Sequence, residues 1–500
     1  SHVDARGGRA VAARYPSTGF VQKGLYLTYQ VTKKKVSLLL RGMFLSAIFL
    51  PILFGAPFAL HFEIGRDFWN KMVRRALEIA GPAFVKWGQW ASTRRDMFPG
   101  DLCEELSLLY TAVPSHKYAH TKKLVEAAFG QRIEDLFDEF ETEPCASGSI
   151  AQVHKGRLSR QGARRIQAGK VKGGGLAGLV GDEEGREGQV VAVKVRHPDV
   201  ESKLLRDFEL MLLLADIADN LTDAHVIGES VRQFRGPLIE QLDLSIEAEA
   251  LSRFNKNFSR HRDVSFPKPL YPYVSNDVLV ETFEEGVIFN KIFGEEQPWN
   301  RKLAQMGLNT LFKMLLEDNF VHADLHPGNI LIRFKEPTFL SKVHAKFFGL
   351  EEAVPSPHIV MLDTGMSTSL TNQDQRSLFS FFEGISALDG YNIAETSLQM
   401  ATIQQFPTKP QFVEEIVELF NNFQRHMRKC DDLPPAAECM ASLLDIFRRH
   451  RVGMKSELSV VIATVFMMEG WATQLDPDLK VMKTIRNFTD YNIQQTLNLV

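Results

Sequence analysis

Cysteine is scarce in this chain: four in 500 residues, Cys103, Cys145, Cys430 and Cys439, with no C-x-x-C pair among them. Free thiols in a reducing compartment are expected, and no plausible zinc set remains. Charge of either sign is also lacking in excess, since 61 Asp and Glu meet 58 Lys and Arg. With no aromatic-and-basic stripe, no nucleic-acid partner is expected. Internal repeats are absent. So is any G-x-G-x-x-G ahead of a strand lysine, which argues against an ordinary glycine-rich phosphate loop. Phenylalanine is plentiful, with 36 residues against nine tyrosines, and an apolar content of 44% is ordinary for a chain with a sizeable core.

The N-terminus is asymmetric. Residues 1–35 hold seven basic residues (Arg6, Arg9, Arg14, Lys23, Lys33, Lys34 and Lys35) and one acid, Asp4. An Arg-rich, acid-poor leader has the character of a mitochondrial transit segment. GMFLSAIFLPILFGAPFAL follows at 42–60, nineteen residues without a charge. That approaches the ~20 residues a spanning helix needs. Pro51 and Pro57 predict a kinked span or a shorter hairpin dipping into one leaflet, with Lys33–Lys35 and Arg41 on the positive side.

Beyond it the pattern is helical: ALEIAGPAFVKWGQWAS, broken at Gly81-Pro82, then DLCEELSLLYTAV after Pro99. TKKLVEAAFGQRIEDLFDEF predicts one amphipathic helix. Strand patterns follow at IAQVHKGRL (150–158), QVVAVKVRH (189–197) and NDVLVETF (276–283). The Gly-rich, charged stretch 159–188 between the first two is expected to be a mobile insertion without a site. After residue 300 helices dominate, apart from a hairpin of NILIRF and HIVMLD. The expected fold is α+β: a protein-kinase-like two-lobe fold with an N-terminal helical extension and a membrane segment. Its parts are a basic leader (1–35), a transmembrane or membrane-dipping segment (36–62), the extension (63–125), an N-lobe (126–285) and a helical C-lobe (286–500).

HADLHPGNI, residues 322–330, matches H-x-D-L-x-x-x-N. In that pattern Asp324 accepts or orients the nucleophile's proton, and Asn329 ligates Mg²⁺ from the same loop. Ala323 stands where many regulated protein kinases carry Arg. His322 is expected to pack rather than react, and a His322–His326 zinc pair lacks a third ligand. Asp363, in MLDTG, is the expected second metal-binding residue, with Thr364 replacing the Phe of D-F-G. Asn329 and Asp363 are 34 residues apart, which implies an inserted loop. In VVAVKVRHP, strand alternation points Val193 and Val195 to one face and Lys194 to the other. That is the place of a phosphate-binding lysine, and Glu247 on a following helix is its expected partner. Glu281 and Phe283, at the end of the third strand, are assigned to the same nucleotide. Where a glycine-rich loop would stand, PCASGSIAQVHKG (144–156) has Ala146, Ser147 and Ser149, leaving only Gly148.

With these residues the sequence resembles the UbiB, or aarF-domain-containing, atypical kinase family, which has an Ala-rich loop in place of the Gly-rich one. That family's second signature is K-x-G-Q in an N-terminal helical extension. Here FVKWGQWASTRRDMFPGDL supplies Lys86, Gly88 and Gln89, then Ser92, Arg94, Arg95, Asp96 and Pro99. The S-T-R-R-D form is similar to that of bacterial UbiB and, among animal proteins, the type 2 aarF-domain kinases. The resemblance implies that the K-x-G-Q helices lie over the active site, with Lys86 and Gln89 as gating residues facing the nucleotide. It also implies an E-x-D motif that engages this lysine. The matching stretch is Gln241-Leu242-Asp243, which leaves Asp243 as the expected partner of Lys86. ATP and Mg²⁺ are the implied cofactors, and ATPase activity is implied more readily than phosphorylation of proteins in trans. Ubiquinone synthesis or membrane-lipid homeostasis is the implied setting, at the mitochondrial inner membrane. The partners expected there are anionic or isoprenoid lipids and lipid- or quinone-biosynthetic enzymes. Two other readings stay open: a nucleotide-switched scaffold with negligible turnover, and a soluble small-molecule phosphotransferase.

Overall fold

The computed structural model describes residues 20–60, 64–109, 115–172, 185–222, 226–292, 297–323, 325, 327–335, 355–404, 409–430, 436–477 and 479. The chain forms two compact units, Ser1–Trp69 and Asn70–Val500. In the first, α1 (Phe20–Leu60) runs for 41 residues with Pro51 and Pro57 inside it. The apolar segment is therefore one continuous helix rather than a hairpin. Its stretch Leu38–Ala59 is long and apolar enough to cross a membrane, and Leu39, Met43, Phe54 and Phe58 are exposed along it.

Helix α2 (Arg66–Ala80) ends where expected, at Gly81, whose φ of +105° suits glycine, and Pro82 opens α3 (Pro82–Ser92). Helix α4 (Gly100–Ser107) completes the extension. The single helix predicted over 121–140 is instead α5 (Tyr118–Phe129), a short α6 (Ile133–Leu136) and strand β1 (Phe137–Phe140). Gly130, at φ +67°, caps α5 in the left-handed region, which stops the helix before the apolar pattern ends.

The N-lobe is an antiparallel sheet in the order β1–β3–β4–β7–β6, built from β3 (Ala151–Leu158), β4 (Val190–Arg196), β6 (Pro269–Val274) and β7 (Val278–Thr282). A two-residue strand, β2 (Ala146–Ser147), folds back on β3. Part of the expected mobile insertion is ordered: α7 (Arg160–Lys172) packs Ile166 into the N-lobe core beside Leu158 and Val191. Residues 173–184 lie outside the described residues. Helices α8 (Val200–Thr222), α9 (Val226–Glu240) and α10 (Leu244–Asn257) follow β4.

In the C-lobe, β10 (Ile330–Lys335) and β11 (Ser356–Met361) form the expected antiparallel hairpin, flanked by β8 (Val287–Ile288) and β5 (Val264–Ser265). Helix α11 (Asn300–Phe312) packs against the helix Ser456–Leu475, and the helices Lys409–Cys430 and Ala436–Arg449 close the lobe. Ser456–Leu475 is also long and apolar enough to span a membrane, but most of it is buried in this core.

One buried ion pair joins the extension to the rest. The Arg94 guanidinium, fully buried, donates to both carboxylate oxygens of Asp96 at 2.8 and 2.7 Å. It also reaches Gln233 Oε1 on α9 at 2.5 Å and the Met454 carbonyl at 3.2 Å, and lies 5.0 Å from the Trp90 ring. Asp96 in turn accepts from the Met454 amide and the Ser459 hydroxyl. Three parts of the fold thus meet on one charge pair. Asp96→Ala strands a buried cation and is expected to cost about 3–5 kcal/mol of stability in urea unfolding followed by tryptophan fluorescence. A loss below about 1 kcal/mol, the scale of an exposed pair, would mean that this pair does not hold the extension.

Candidate active site

Strand β4 alternates as its sequence requires. Val191, Val193 and Val195 lie in the N-lobe core, and Lys194 faces the other way, toward the cleft between the lobes. Register places Lys194 opposite Leu279 and Ala192 opposite Glu281, so Lys194 and Glu281 share one face of the sheet. Lys194 Nζ is 2.5 Å from Glu247 Oε1 and 3.4 Å from Glu281 Oε1, with all three side chains nearly buried. Burial opposes the ammonium, yet Glu247, then Glu281 and Asp363, hold it charged and raise its pKa. Burial also pushes the Glu247 and Glu281 carboxyls above the ordinary range, against the pull of Lys194. Glu281 therefore belongs to the lysine cluster. Phe283, assigned with it, lies next to β3, where the Lys155 ammonium sits 4.8 Å from its ring. The segment 283–286 leading to the C-lobe is anchored to β10 by Arg333, which bonds Glu284 and the Glu285 carbonyl.

From the C-lobe, the β10–β11 hairpin brings the two expected metal ligands together. Its last rung is Leu362 N–H on the Asn329 carbonyl at 2.8 Å, which sets Asn329 beside Asp363 despite the long insertion. Asp363 is exposed to the cleft and has a left-handed backbone, φ +37°, unusual for a residue with a side chain. Enclosure works against its ionisation, but Lys194 and then Lys86, helped by the Gly365 amide, hold its carboxyl below the ordinary range. Thr364 donates to the Glu247 carbonyl at 3.4 Å, so the residue in place of Phe ties this turn to α10. His322 is buried and donates to the Leu362 carbonyl, a packing role as expected. Asp324 and His326 lie outside the described residues. The strand pair of β9 (Val321–His322) with β12 (Ser367–Thr368) and the Ala323 amide on Met366 frame that loop. Around Lys194, three carboxylates face one buried ammonium, and Glu281 Oε2 is buried without a hydrogen-bond partner. Asp363 and Asn329 carry oxygen donors of the kind a divalent cation takes.

The alanine-rich loop is a tight hairpin rather than an open cradle. Ala146 pairs with Val153 and Ser147 with Gln152, and the Gly148 amide donates to the Ala151 carbonyl at 2.9 Å. A Cβ at Gly148 would meet only ordinary contact, 3.5 Å from the Ala151 oxygen, so this glycine is not sterically required. Ser149 is buried, and Ala146 and Gly148 are exposed. Of the K-x-G-Q residues, only Lys86 acts toward the cleft. Gln89 donates to the Leu109 carbonyl at 3.0 Å, holding the end of the extension rather than gating. Gly88 is a packing glycine: an added Cβ would lie 2.4 Å from Leu109 Cδ1 and 2.9 Å from Leu77 Cδ1. Asp243 is not the partner of Lys86. It caps α10, accepting from the Ser245 amide and hydroxyl at 2.9 and 2.6 Å, and no ion pair links the two residues. Gln241 lies beside it, its Oε1 buried and without a partner. The sequence reading missed the Glu281–Lys194 contact, for which two-residue alternation along NDVLVETF was the available signal.

The model of the ABC1 atypical kinase-like domain matches residues 108–172 and 182–397. A Dictyostelium discoideum protein named Probable serine/threonine-protein kinase abkC is 31% identical over 470 residues, which are 84% of this chain and 64% of the relative. A Saccharomyces cerevisiae ABC1 family protein named as mitochondrial is 30% identical over 497 residues, 90% of this chain and 74% of the relative. The Probable protein kinase UbiB of Tolumonas auensis is 28% identical over 434 residues, 85% and 70% of the two chains. The chain spans less than two thirds of the first of these relatives. It belongs to the ABC1 atypical kinase-like family.

If Gly88 serves packing, Gly88→Ala crowds Leu77 and Leu109 and is expected to lower stability by about 1–3 kcal/mol. Thermal unfolding checks this, and an unchanged midpoint would remove the packing role.

Proposed function

We propose that this member of the ABC1 atypical kinase-like family is a membrane-anchored, Mg²⁺-dependent ATPase that supports ubiquinone synthesis or mitochondrial lipid metabolism. The observation that carries the reading is the cluster of Lys194, Glu247 and Glu281, whose ammonium also acts on Asp363, with the Asn329 carbonyl bonded to the Leu362 amide one residue before Asp363. Phosphoryl transfer needs phosphates held, charge neutralised and an acceptor oriented, with little covalent help from the protein. ATP would bring the transferable phosphoryl group, and Mg²⁺ would neutralise its oxygens. Lys194, kept charged by two glutamates, presents its ammonium to the phosphates. Asn329 and Asp363 are the residues to hold the metal. Asp324, in H-x-D-L-x-x-x-N, is assigned the proton of the attacking water or hydroxyl. Ala146, Ser147, Gly148 and Ser149 bound the phosphate side, and Phe283 the other end of the nucleotide.

The anchor is α1, whose charge-free stretch 42–60 has Lys33, Lys34, Lys35 and Arg41 on its N-terminal side. Basic residues there favour an anionic leaflet. The yeast relative's mitochondrial name and the basic leader support a mitochondrial membrane, with the inner membrane as the proposed site. Anionic or isoprenoid lipids and lipid- or quinone-synthesising enzymes are the proposed partners. A second reading, a nucleotide-switched scaffold with little turnover, is favoured by Lys86. Its charge already acts on Asp363, where a metal would bind.

The test is Mg²⁺-dependent ATP hydrolysis with and without anionic liposomes. Lys194→Met and Asp363→Asn are each expected to reduce turnover by about a hundredfold or more. Unchanged turnover in either variant removes that residue from the site. Nucleotide binding without turnover in the unaltered chain, with or without liposomes, favours the scaffold. Deleting residues 1–62 is expected to abolish co-sedimentation with liposomes, and its persistence would place the anchor elsewhere.

A further inference from the structure

Behind the alanine-rich loop lies a polar cluster that the proposed reaction does not use: half-buried His116 with buried Thr121, Gln152, His154 and His197. A carbonyl only accepts hydrogen bonds, and this orders the cluster. The Gly148 carbonyl is 3.0 Å from His197 Nε2, so that nitrogen carries a proton. In a neutral ring His197 Nδ1 then accepts, and His116 Nδ1, 2.8 Å away, donates to it. His116 Nε2 in turn accepts from the Thr121 hydroxyl at 2.9 Å. At the other end the Glu141 carbonyl, at 2.8 Å, sets the proton of His154 on Nδ1. His154 Nε2 then accepts from the Gln152 amide at 2.9 Å, and Gln152 Oε1 accepts the His116 backbone N–H at 2.8 Å. The Thr121 hydroxyl, also 3.1 Å from His154 Nε2, has a single proton and gives it to His116. Each of the three rings, neutral, thus has a donor and an acceptor. Burial, the largest influence on each, favours that state, and it brings His116 down to about 4.

His197 holds the loop twice. Its side chain fixes the Gly148 carbonyl, and its backbone N–H donates to the Ile150 carbonyl at 2.8 Å. Both ends of the turn 148–150 are thereby clamped by one residue, three positions beyond Lys194. A loop poor in glycine has fewer backbone conformations to choose from, so its shape must be set from outside.

We propose that His197 is a positioning residue for the phosphate side of the nucleotide site: it sets the turn 148–150 and, through His116 and Thr121, ties it to the start of α5. The proposal rests on the nucleotide-binding reading above, and its test separates the two.

The full chain is compared with His197→Phe, which keeps a ring but no hydrogen bonds, and with His197→Gln, which keeps a donor and an acceptor. Hydrogen exchange at the Cys145 and Gly148 amides, which bond Val153 and Ala151, reports the loop without nucleotide. Fluorescent Mg·ATP titration reports the site. In His197→Phe the two amides are expected to exchange faster and nucleotide to bind about five- to tenfold more weakly, the scale of one lost hydrogen bond. His197→Gln is expected to restore both. Unchanged exchange in His197→Phe overturns the proposal. So does faster exchange with unaltered affinity, and so does a Gln variant that behaves like Phe. If the unaltered chain binds no nucleotide while exchange still rises in His197→Phe and recovers in His197→Gln, the nucleotide reading falls and the loop-setting role stands.

Discussion

The Lys194 ammonium sits 2.5 Å from Glu247 and 3.4 Å from Glu281, and its loss of water is offset only while both glutamates stay within reach. That condition constrains much of the structure. Glu281 reaches the lysine because β4 and β7 pair with Lys194 opposite Leu279, and a one-residue slip would send it to the other face. Glu247 reaches it because α10 begins at a cap, Asp243, that breaks the chain from α9 and aims the new helix at the sheet. Thr364 then secures the Asp363 turn to the Glu247 carbonyl, so the C-lobe carboxylate is positioned by the same helix. Strand register, helix cap and C-lobe turn serve one charge.

The extension is held by a second buried charge. Arg94 and Asp96 bind each other while also engaging α9 and the Met454–Ser459 region. Within K-x-G-Q this anchoring divides the labour. Gly88 allows close approach of Leu77 and Leu109, Gln89 holds the Leu109 carbonyl, and Lys86 is left to act electrostatically on Asp363. A motif that resembles a gate as a string of four residues is, in three dimensions, one cation on a packed support.

The phosphate side follows the same principle. A glycine-rich loop gains access to a ligand through backbone freedom, whereas residues 146–149 form a hairpin whose Gly148 amide is already bonded. Buried histidines behind it supply order in place of freedom, and each neutral ring satisfies a neighbour's donor or acceptor.

Features that depend on local periodicity and on short spacing are legible in the chain of residues alone. Alternation along VVAVKVR separated Lys194 from its valines, Gly81-Pro82 marked the break between α2 and α3, and two apolar runs announced the hairpin that joins Asn329 to Asp363. The family resemblance, carried by K-x-G-Q, the alanine-rich loop and H-x-D-L-x-x-x-N, extended this to the two-lobe fold. Which polar side chains meet depends instead on how the elements pack. Asp243 turned to its own helix instead of Lys86, Glu281 joined the lysine, α7 ordered part of a segment that composition marked as mobile, and Gly130 turned one amphipathic pattern into helix and strand. The reason is physical. A backbone period is written in neighbouring residues, but the partner of a buried charge can lie 360 positions away, as Met454 does from Arg94, and is chosen only when the packed elements exclude water around both.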